Sequence, residues 1–412
     1  MGLEVADNPL GREMEDLGRR YRTLLAAVQA PGLTADEAVW DELTETQQAL
    51  DAARARQQQQ RQDAECPARE ATGGALGTLL GPETTGLKVT TALRLQPIPT
   101  GIYHLLDPAS HPLLTVTVRN ESHEPRRVSV SAYLEGLSAR AIRTIELERM
   151  DKGQTIPLLP TLLPGPARRI TQVQRATLHV VVEIFGSLLE KSRTTWSRLV
   201  ESHDTHGVVL LSRNSSFNAV IDPQTGLPPD LIRYYGAWVT PHIEPNQALL
   251  RRAADLTPKH QIWGYQGDPE VVPRQVEALY NALKEAGITY VNSIIDFGAG
   301  PGLLTQRTRL PRESLKYHNA NCIDGTVLFA SLLESASLHA GIVLVPGHAF
   351  VAWETWRGSD EWDYLETTMI GTHDFDAANA AGRERHKRWS ARSGARLLKL
   401  NDLRSEGIWP ME

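Results

Sequence analysis

Apolar side chains recur at helical spacing near the start of the chain. Five of them are separated by alternating steps of three and four positions: Met14, Leu17, Tyr21, Leu24 and Val28. This spacing predicts a helix with one apolar stripe. After a break at residues 31–32, Thr34 and Glu37 form the pattern of a capping box that opens a second helix. We therefore predict an α-helical hairpin over residues 1–56, which docks on its own protein, a second copy or a partner.

The spacing then changes from helical to alternating. Residues 57–86 include a run of glutamines and the pair Gly73-Gly74, which is the composition of a linker. Beyond it, apolar positions alternate with polar ones in short runs: Leu114, Val116 and Val118; Val128, Val130 and Ala132; Leu178, Val180 and Val182. Short strands punctuated by turns are typical of an antiparallel β-sandwich, and we predict one of immunoglobulin-like type over residues 87–205.

Helical and strand patterns mix in the last half of the chain. A helical stripe over residues 276–283 ends at Gly287 and is followed by an apolar strand over 288–291. Further on, apolar residues cover most of the circumference of a helix that begins near Cys322, which predicts a buried helix. We predict an α+β domain over residues 206–412.

The composition is that of an ordinary globular protein. The 412 residues are 41% hydrophobic and 22% charged, which excludes collagen-like and wholly disordered chains and allows two or three cores. A net charge of −6 gives no general attraction to nucleic acid. The sequence has no basic-then-apolar leader and no run of about 18 uncharged apolar residues, so we expect a cytoplasmic protein without a membrane segment.

The two cysteines lie in different settings, and neither belongs to a CxxC pair, so we expect no disulfide framework and no cysteine-based zinc site. Cys66 lies in the polar linker without a histidine or basic cluster beside it, and we interpret it as inert. Cys322 follows Asn321, a good N-cap residue, and so lies in the first turn of the predicted buried helix. The unpaired amides and the helix dipole there favour a thiolate, which makes Cys322 the candidate nucleophile.

A proton acceptor for this sulfur comes from the next strongly patterned segment. His348 opens an apolar strand directly after the Pro-Gly pair at 346–347. The following strand carries Glu366, a carboxylate in a position to hold the imidazole in one tautomer. Asp360 and Asp363 are the alternatives for this orienting role.

The order of cysteine on a helix, histidine at the start of a strand and carboxylate on the next strand resembles the transglutaminase-like superfamily. This superfamily is related to the papain-type cysteine proteases, and the detailed match is to a bacterial multidomain branch. Five segments carry the resemblance: 306–311, 321–334, 346–353, 366–369 and 402–410. They lie within residues 228–412, so the helical hairpin and the sandwich fall outside it. The resemblance implies a transglutaminase/papain-like fold for the C-terminal domain.

By this resemblance, Cys322 is the nucleophile, His348 is the general base and then the general acid, and Glu366 is the orienting group. Members of the superfamily usually carry Asp in the third position, so Glu366 departs from the pattern by one methylene. The tetrahedral intermediate also needs hydrogen-bond donors to its oxyanion. The backbone amide of Cys322 is one such donor, and Gln306 is a second by analogy with the glutamine upstream of a papain-type cysteine.

These residues predict a cysteine-dependent acyl-transfer enzyme, in the first place a peptidase, that acts on a protein or peptide substrate without cofactor or metal. Water would resolve the acyl-enzyme by hydrolysis or deamidation and an amine would resolve it by crosslinking, and the residues do not separate these outcomes. The hairpin and the sandwich are expected to bind a protein partner. The bacterial relatives imply an effector or processing component of a defence or stress system. The alternative is a non-catalytic papain-like scaffold in a multiprotein complex.

The remaining polar and charged clusters are weaker signals. Single histidines of the predicted sandwich indicate surface or packing roles: His104, His111, His123 and His179. His203 and His206 with Asp204 indicate a solvated turn rather than a metal site. The run Gly-Ala-Gly-Pro-Gly at 298–302 indicates a loop near the cleft rather than a nucleotide-binding motif. Seven Lys or Arg and one Glu in residues 383–399 predict a solvated helix face or, as the alternative, contact with an acidic partner or nucleic acid.

Overall fold

The structure, a computed structural model, describes these residues: 9–29, 39, 42, 46, 49, 53, 75–80, 86–190, 193–217, 231–291, 305–345, 348–392 and 394–411. This part of the chain mixes helices with sheets that are mostly antiparallel, which confirms the mixed helix-and-strand class predicted from the two spacings. None of its helices combines the length and the apolar character that crossing a bilayer requires.

The predicted N-terminal stripe lies on α1 (Pro9–Gln29). Arg20 Nε donates a 2.9 Å hydrogen bond to the side chain of Glu42, which is itself helical. Tyr21 and Leu24 pack against a buried apolar cluster of the C-terminal sheet. The stripe therefore docks on its own protein, as amphipathic helices do when they have no other core. Its role in binding a partner stays a prediction.

Eight strands follow along the chain: β1 (Ala75–Leu80), β2 (Leu87–Leu93), β3 (Leu114–Asn120), β4 (Arg126–Leu134), β5 (Ala141–Leu147), β6 (Gln154–Leu158), β7 (Gln174–Glu190) and β8 (Arg193–Leu210). They form two four-stranded antiparallel sheets with the strand orders β1-β2-β3-β6 and β5-β4-β7-β8. A 3-10 turn (Tyr103–Leu105) and α2 (Pro164–Arg168) lie in the connections. Val116, Val130 and Val182 are fully buried in one core, as the alternation predicts. The immunoglobulin-like type stays a prediction.

Two features of this region differ from the sequence interpretation. β1 lies inside the predicted linker 57–86 and pairs with β2. Its six residues, ALGTLL, contain Gly77 and lie between Gly74 and Gly81, so the alternation typical of a strand is not visible there. His203 and His206 lie in β8, paired with β7, and not in a turn. Polar residues on both faces removed the period-two signal there, and the pairing with β7 supplies the strand.

The C-terminal part alternates helices with short strands: β9 (Ser215–Phe217), α3 (Glu244–Asp255), α4 (Val271–Glu285), β10 (Thr289–Tyr290), β11 (Thr305–Arg307), α5 (Pro311–Tyr317), β12 (Asn319–Ala320), α6 (Cys322–Ser335), β13 (Ala340–Val345), β14 (His348–Glu354), β15 (Trp362–Leu365), α7 (Phe375–Ser390), β16 (Arg396–Lys399) and α8 (Leu400–Ser405). Two further 3-10 turns are Ile232–Trp238 and Thr367–Met369. The predicted stripe over 276–283 lies in α4, and Gly287 follows it with a φ of 74°, a left-handed conformation that glycine adopts readily.

A four-stranded antiparallel sheet of order β15-β14-β13-β16 supports the candidate site. α6 packs on β13 and β14, and every residue of α6 from Cys322 to Leu333 is buried. Alternate residues of the same two strands belong to the cluster that Tyr21 and Leu24 contact: Val343, Val345, Phe350 and Ala352. Since neighbouring strand residues point to opposite faces, the sheet is covered on one side by α6 and on the other by N-terminal residues.

Arg404 links the end of the chain to the far end of α6. Its guanidinium pairs with Glu334 at 2.8 Å. It also donates hydrogen bonds to the carbonyl oxygens of Gly236, Val239 and Ile408. Because these partners come from three separate segments, Arg404 fixes the position of α6 within the C-terminal part.

Candidate active site

The first turn of α6 presents the candidate nucleophile. Asn321 is its N-cap, as predicted, and its side chain accepts a 2.8 Å hydrogen bond from the Asp324 amide. Asp324 accepts one in return from the Asn321 amide at 3.3 Å, which completes a capping box. The Arg309 amide donates a further 2.7 Å hydrogen bond to Asp324. These bonds hold Cys322 at the start of the helix.

The hydrogen bonds of this cap favour the ionised form of Asp324. The side chain is fully buried, and burial raises its pKa to about 6, although the amides of Arg309 and Asn321 and the Arg309 charge act in the opposite direction. At neutral pH the carboxylate is mostly ionised. A negative charge at this position is stabilised by the positive end of the helix dipole.

The Cys322 sulfur is enclosed by protein. The residue is 4% exposed, and burial raises the pKa of its thiol to about 12. The amides of Ala349 and Ile323 donate hydrogen bonds to the sulfur and lower its pKa, but by less than burial raises it. The resting side chain is therefore a neutral thiol. This differs from the thiolate predicted from the helix terminus, because the loss of solvation outweighs the dipole and the two amides.

His348 adjoins this sulfur through the backbone, since the amide of Ala349, the next residue of β14, is bonded to the sulfur. Its Nε2 lies 2.7 Å from Glu366 Oε2. An ionised carboxylate only accepts hydrogen bonds, so we assign the ring proton to Nε2 and the lone pair to Nδ1. Nδ1 is buried and forms no hydrogen bond with a described residue. Burial lowers the pKa of His348 more than the Glu366 charge raises it, so the ring is a neutral base.

Glu366 follows β15 and caps the 3-10 turn behind it. Its Oε1 accepts hydrogen bonds from the amide and the hydroxyl of Thr368, at 3.2 and 2.7 Å. Its Oε2 faces both His348 and Arg385, whose Nε lies 3.0 Å away. Burial opposes ionisation, but the Arg385 charge and the hydrogen bonds from His348 and Thr368 outweigh it and lower the pKa of Glu366 to about 2. Glu366 is therefore an ionised carboxylate, although it is only 1% exposed.

The two alternative carboxylates are paired elsewhere. Arg383 Nε donates a 2.6 Å hydrogen bond to Asp363. Asp360 forms an ion pair with Lys399. Of the three carboxylates that the sequence offered for the orienting role, Glu366 is the one bonded to the imidazole.

Arg385 is the residue of this site that the sequence interpretation missed. It lies in the basic segment 383–399, which predicted a solvated face. Arg383 and Arg388 are bonded to the carboxylates of Asp363 and Glu384, but the Arg385 side chain is only 19% exposed and reaches Glu366. Helix residues two positions apart point in nearly opposite directions, so Arg383 and Arg385 cannot share a face. Which of them turns inward depends on how α7 packs on β15.

The side-chain donor for the oxyanion, predicted as Gln306, stays a prediction. The backbone of Gln306 lies in β11 and pairs with Ser216, and its side chain lies outside the described part of the structure. Tyr290 pairs with Ala320, two residues before Cys322, and its hydroxyl is buried without a hydrogen-bond partner among the described residues. Burial raises the pKa of Tyr290, and the negative charge of Glu366 raises it further. No motif in the sequence singled out this tyrosine.

The weaker sequence signals add no second site. The glycine run 298–302 and the Pro-Gly pair at 346–347 lie outside the described residues. In β8, His206 pairs with Asp204, and His203 Nε2 lies 2.9 Å from His179 Nδ1. Within the described ranges, no group of three or more His, Cys, Asp or Glu side chains has the arrangement of a metal site.

An open cleft of about 660 Å³ lies at the other end of α6. Aromatic and charged residues line it, among them Trp263, Trp409, Glu334 and Arg404. α6 has 14 residues, which places the cleft about 20 Å from Cys322. None of the three triad candidates lines it, and each is 7% exposed or less. The candidate site is therefore enclosed and separate from this cleft.

Comparisons with known proteins bring no relative. No protein-family model matches the chain, and no curated protein or solved structure matches it at the significance required. The resemblance to the transglutaminase-like superfamily thus rests on the residues alone and stays a prediction.

Proposed function

We propose that this chain is a cysteine-dependent acyl-transfer enzyme acting on a protein or peptide substrate, in the first place as a peptidase. Cys322 is the nucleophile, His348 the general base and Glu366 the orienting group. The observation that carries the proposal is the His348 ring, in which one nitrogen is bonded to a buried carboxylate and the other is buried without a hydrogen-bond partner among the described residues. Buried polar atoms without a partner are rare in native proteins and mark sites where chemistry or a ligand completes the arrangement.

The neutral thiol determines the order of the proton transfers. His348 Nδ1 removes the thiol proton as the sulfur attacks the substrate carbonyl carbon, and the electron pair of the C=O bond moves to oxygen. When the tetrahedral intermediate collapses, its C–N bond breaks and the imidazolium gives the proton to the leaving amine. Glu366 stabilises the imidazolium across the 2.7 Å contact without taking the proton. Water or an amine then resolves the thioester.

The enclosure of the site supports regulated activity. Because Cys322 is 4% exposed, a substrate carbonyl reaches the sulfur only after covering residues move. We propose that a protein partner or the substrate itself opens the site. The N-terminal helices and the two sheets of residues 75–210, which we propose to form an immunoglobulin-like sandwich, provide surfaces for such binding. The setting we propose is an effector or processing component of a bacterial defence or stress system.

A non-catalytic papain-like scaffold is the second candidate. The observation that favours it is the enclosed thiol with a pKa of about 12, since buried structural cysteines are inert. In that case, His348, Glu366 and Arg385 form a buried polar network that specifies the packing of α7 on the sheet.

Labelling of the full-length protein with iodoacetamide at neutral pH, followed by peptide mass spectrometry, separates the two candidates. Cys66 serves as the reference thiol in the same chain. The enzyme predicts that Cys322 reacts faster than Cys66, because His348 deprotonates the thiol whenever the site opens, and that His348→Ala abolishes this advantage. His339→Ala is the matched control, since His339 is bonded to Glu354. Labelling of Cys322 no faster than Cys66 and unchanged in His348→Ala would favour the scaffold.

A further inference from the structure

Tyr290 is placed beside the nucleophile by a short parallel ladder. β10 and β12 pair in register, so that Tyr290 lies opposite Ala320, two residues before Cys322. The amide of Val291 donates a 3.0 Å hydrogen bond to the Ala320 carbonyl and locks this register. The tyrosine therefore approaches the start of α6 from a different part of the chain than His348 does.

The Tyr290 hydroxyl is available, unlike the hydroxyls of two other tyrosines in this part of the protein. The hydroxyl of Tyr280 donates to the His373 carbonyl at 3.1 Å, and that of Tyr265 donates to the Glu354 carbonyl at 2.9 Å. The Tyr290 hydroxyl is buried and has no hydrogen-bond partner among the residues the structure describes. A buried hydroxyl without a partner is unfavourable, so its retention beside a candidate nucleophile calls for an explanation.

The charges around this hydroxyl belong to the candidate site. Cys322, Glu366 and Arg385 all act electrostatically on the phenol. Burial and the Glu366 carboxylate keep the phenol protonated at neutral pH, so it is a hydrogen-bond donor and not a base. A neutral donor close enough to interact with the charge of the sulfur is what a developing negative oxygen requires.

We infer that Tyr290 is the side-chain donor to the oxyanion of the acyl-transfer reaction, which rests on the proposed function of Cys322. As the bond between the sulfur and the carbonyl carbon forms, the carbonyl oxygen becomes negative and accepts a hydrogen bond from the Tyr290 hydroxyl. The phenol keeps its proton, while His348 Nδ1 takes the thiol proton. When the C=O bond forms again and the leaving group departs, the hydroxyl returns to its unpaired state. Gln306 is then not required for this role.

Two reagents that share the nucleophile test the inference. p-Nitrophenyl acetate acylates a thiol through a tetrahedral intermediate with a negative oxygen, whereas iodoacetamide alkylates it by displacement of iodide and develops no oxyanion. Both reactions are followed at Cys322 by peptide mass spectrometry in the full-length protein. In Tyr290→Phe we expect acylation to slow by about 10²–10³-fold, the usual effect of removing one oxyanion donor, and alkylation to stay at the wild-type rate. Tyr280→Phe is the matched control and should change neither the rate of acylation nor the rate of alkylation.

Every other result contradicts either the inferred role of Tyr290 or the proposed function of Cys322. Equal slowing of both reactions in Tyr290→Phe would make Tyr290 a structural or access residue, and no slowing of either would leave it without a role; both overturn the inference. Wild-type acylation at Cys322 that His348→Ala leaves unchanged would overturn the proposed function, and the inference with it. Thermal unfolding provides the folding check, since Tyr290→Phe removes an unpaired buried hydroxyl and should not lower the melting temperature.

Discussion

Replacing Glu366 with Gln removes a negative charge from a nearly fully buried position while keeping the shape of the side chain. In the wild-type protein, burial acts to raise the pKa of Glu366, but the Arg385 charge and the hydrogen bonds from His348 and Thr368 lower it from 4.5 to about 2. The substitution leaves Arg385 as a cation without its carboxylate. It also offers the imidazole an amide that can donate as well as accept, so Nε2 no longer has to carry the ring proton.

The loss of folding stability in Glu366→Gln can be estimated in two ways. A carboxyl whose pKa falls from 4.5 to about 2 on folding contributes about 3 kcal/mol of stability at neutral pH. Removing one partner of a buried ion pair costs about 3–5 kcal/mol, because the other charge stays buried. Since the Arg385 side chain is 19% exposed and keeps some solvation, we expect a value near the lower end, about 3 kcal/mol.

The same shift predicts the pH dependence. Because folding lowers the pKa of Glu366, its contribution is fully present above about pH 4.5 and is lost as the pH falls towards 2. Glu366→Gln should therefore be less stable than the wild-type protein at pH 7, and the difference should shrink through this window. The double variant Glu366→Gln/Arg385→Leu should regain part of the loss, because it no longer buries a guanidinium that has lost the Glu366 carboxylate.

Urea unfolding followed by tryptophan fluorescence measures this effect, because Trp353 and Trp389 are buried in the same part of the protein. Glu361→Gln, a change at an exposed carboxylate, is the control and should stay within about 0.5 kcal/mol of wild type. Acylation of Cys322 by p-nitrophenyl acetate should slow by about 10²–10⁴-fold in Glu366→Gln, the range for loss of a positioned base. Unchanged unfolding and unchanged acylation would refute both the ion-pair energetics and the orienting role.

Two further substitutions test the electrostatics and the packing around the site. Arg385→Met should raise the pKa of His348, because the Arg385 charge lowers it. The acid limb of the pH profile of Cys322 acylation should then move to higher pH. An acid limb at the wild-type pH would contradict an electrostatic role of Arg385. Gly382→Ala should lower the melting temperature, since the new Cβ would lie 2.7 Å from the backbone nitrogen of Leu365. Overpacking costs about 1–3 kcal/mol of stability, which exceeds the roughly 1 kcal/mol that alanine gains over glycine in helix propensity. An unchanged or higher melting temperature would show that α7 shifts freely on β15.

Features that depend on neighbours within about four residues could be predicted from the amino-acid order. Asn321 is predicted to cap α6, and it does so because its side chain accepts a hydrogen bond from an amide of the same turn. The buried positions of β3 and β4 follow from alternation, since a strand turns every second side chain to the core. The same signal failed for β1 and β8, where glycines or polar residues on both faces concealed the period.

The sequence could not show which of three carboxylates is bonded to His348. Asp360, Asp363 and Glu366 lie within seven positions, and their spacing alone could not show which of them meets the imidazole. The pairing of β15 with β14 brings this segment beside the strand that His348 opens. Arg383 of α7 and Lys399 of β16 form ion pairs with the two aspartates. Glu366 pairs with His348 and Arg385.

The amino-acid order specified the helix start at Cys322, the strand start at His348 and the mixed class of the fold, because hydrogen bonds within one turn and side-chain alternation are local. It could not specify the state of the thiol, the inward turn of Arg385 or the approach of Tyr290. Those depend on how much water reaches each group, and segments far apart in the chain exclude that water only when they pack together.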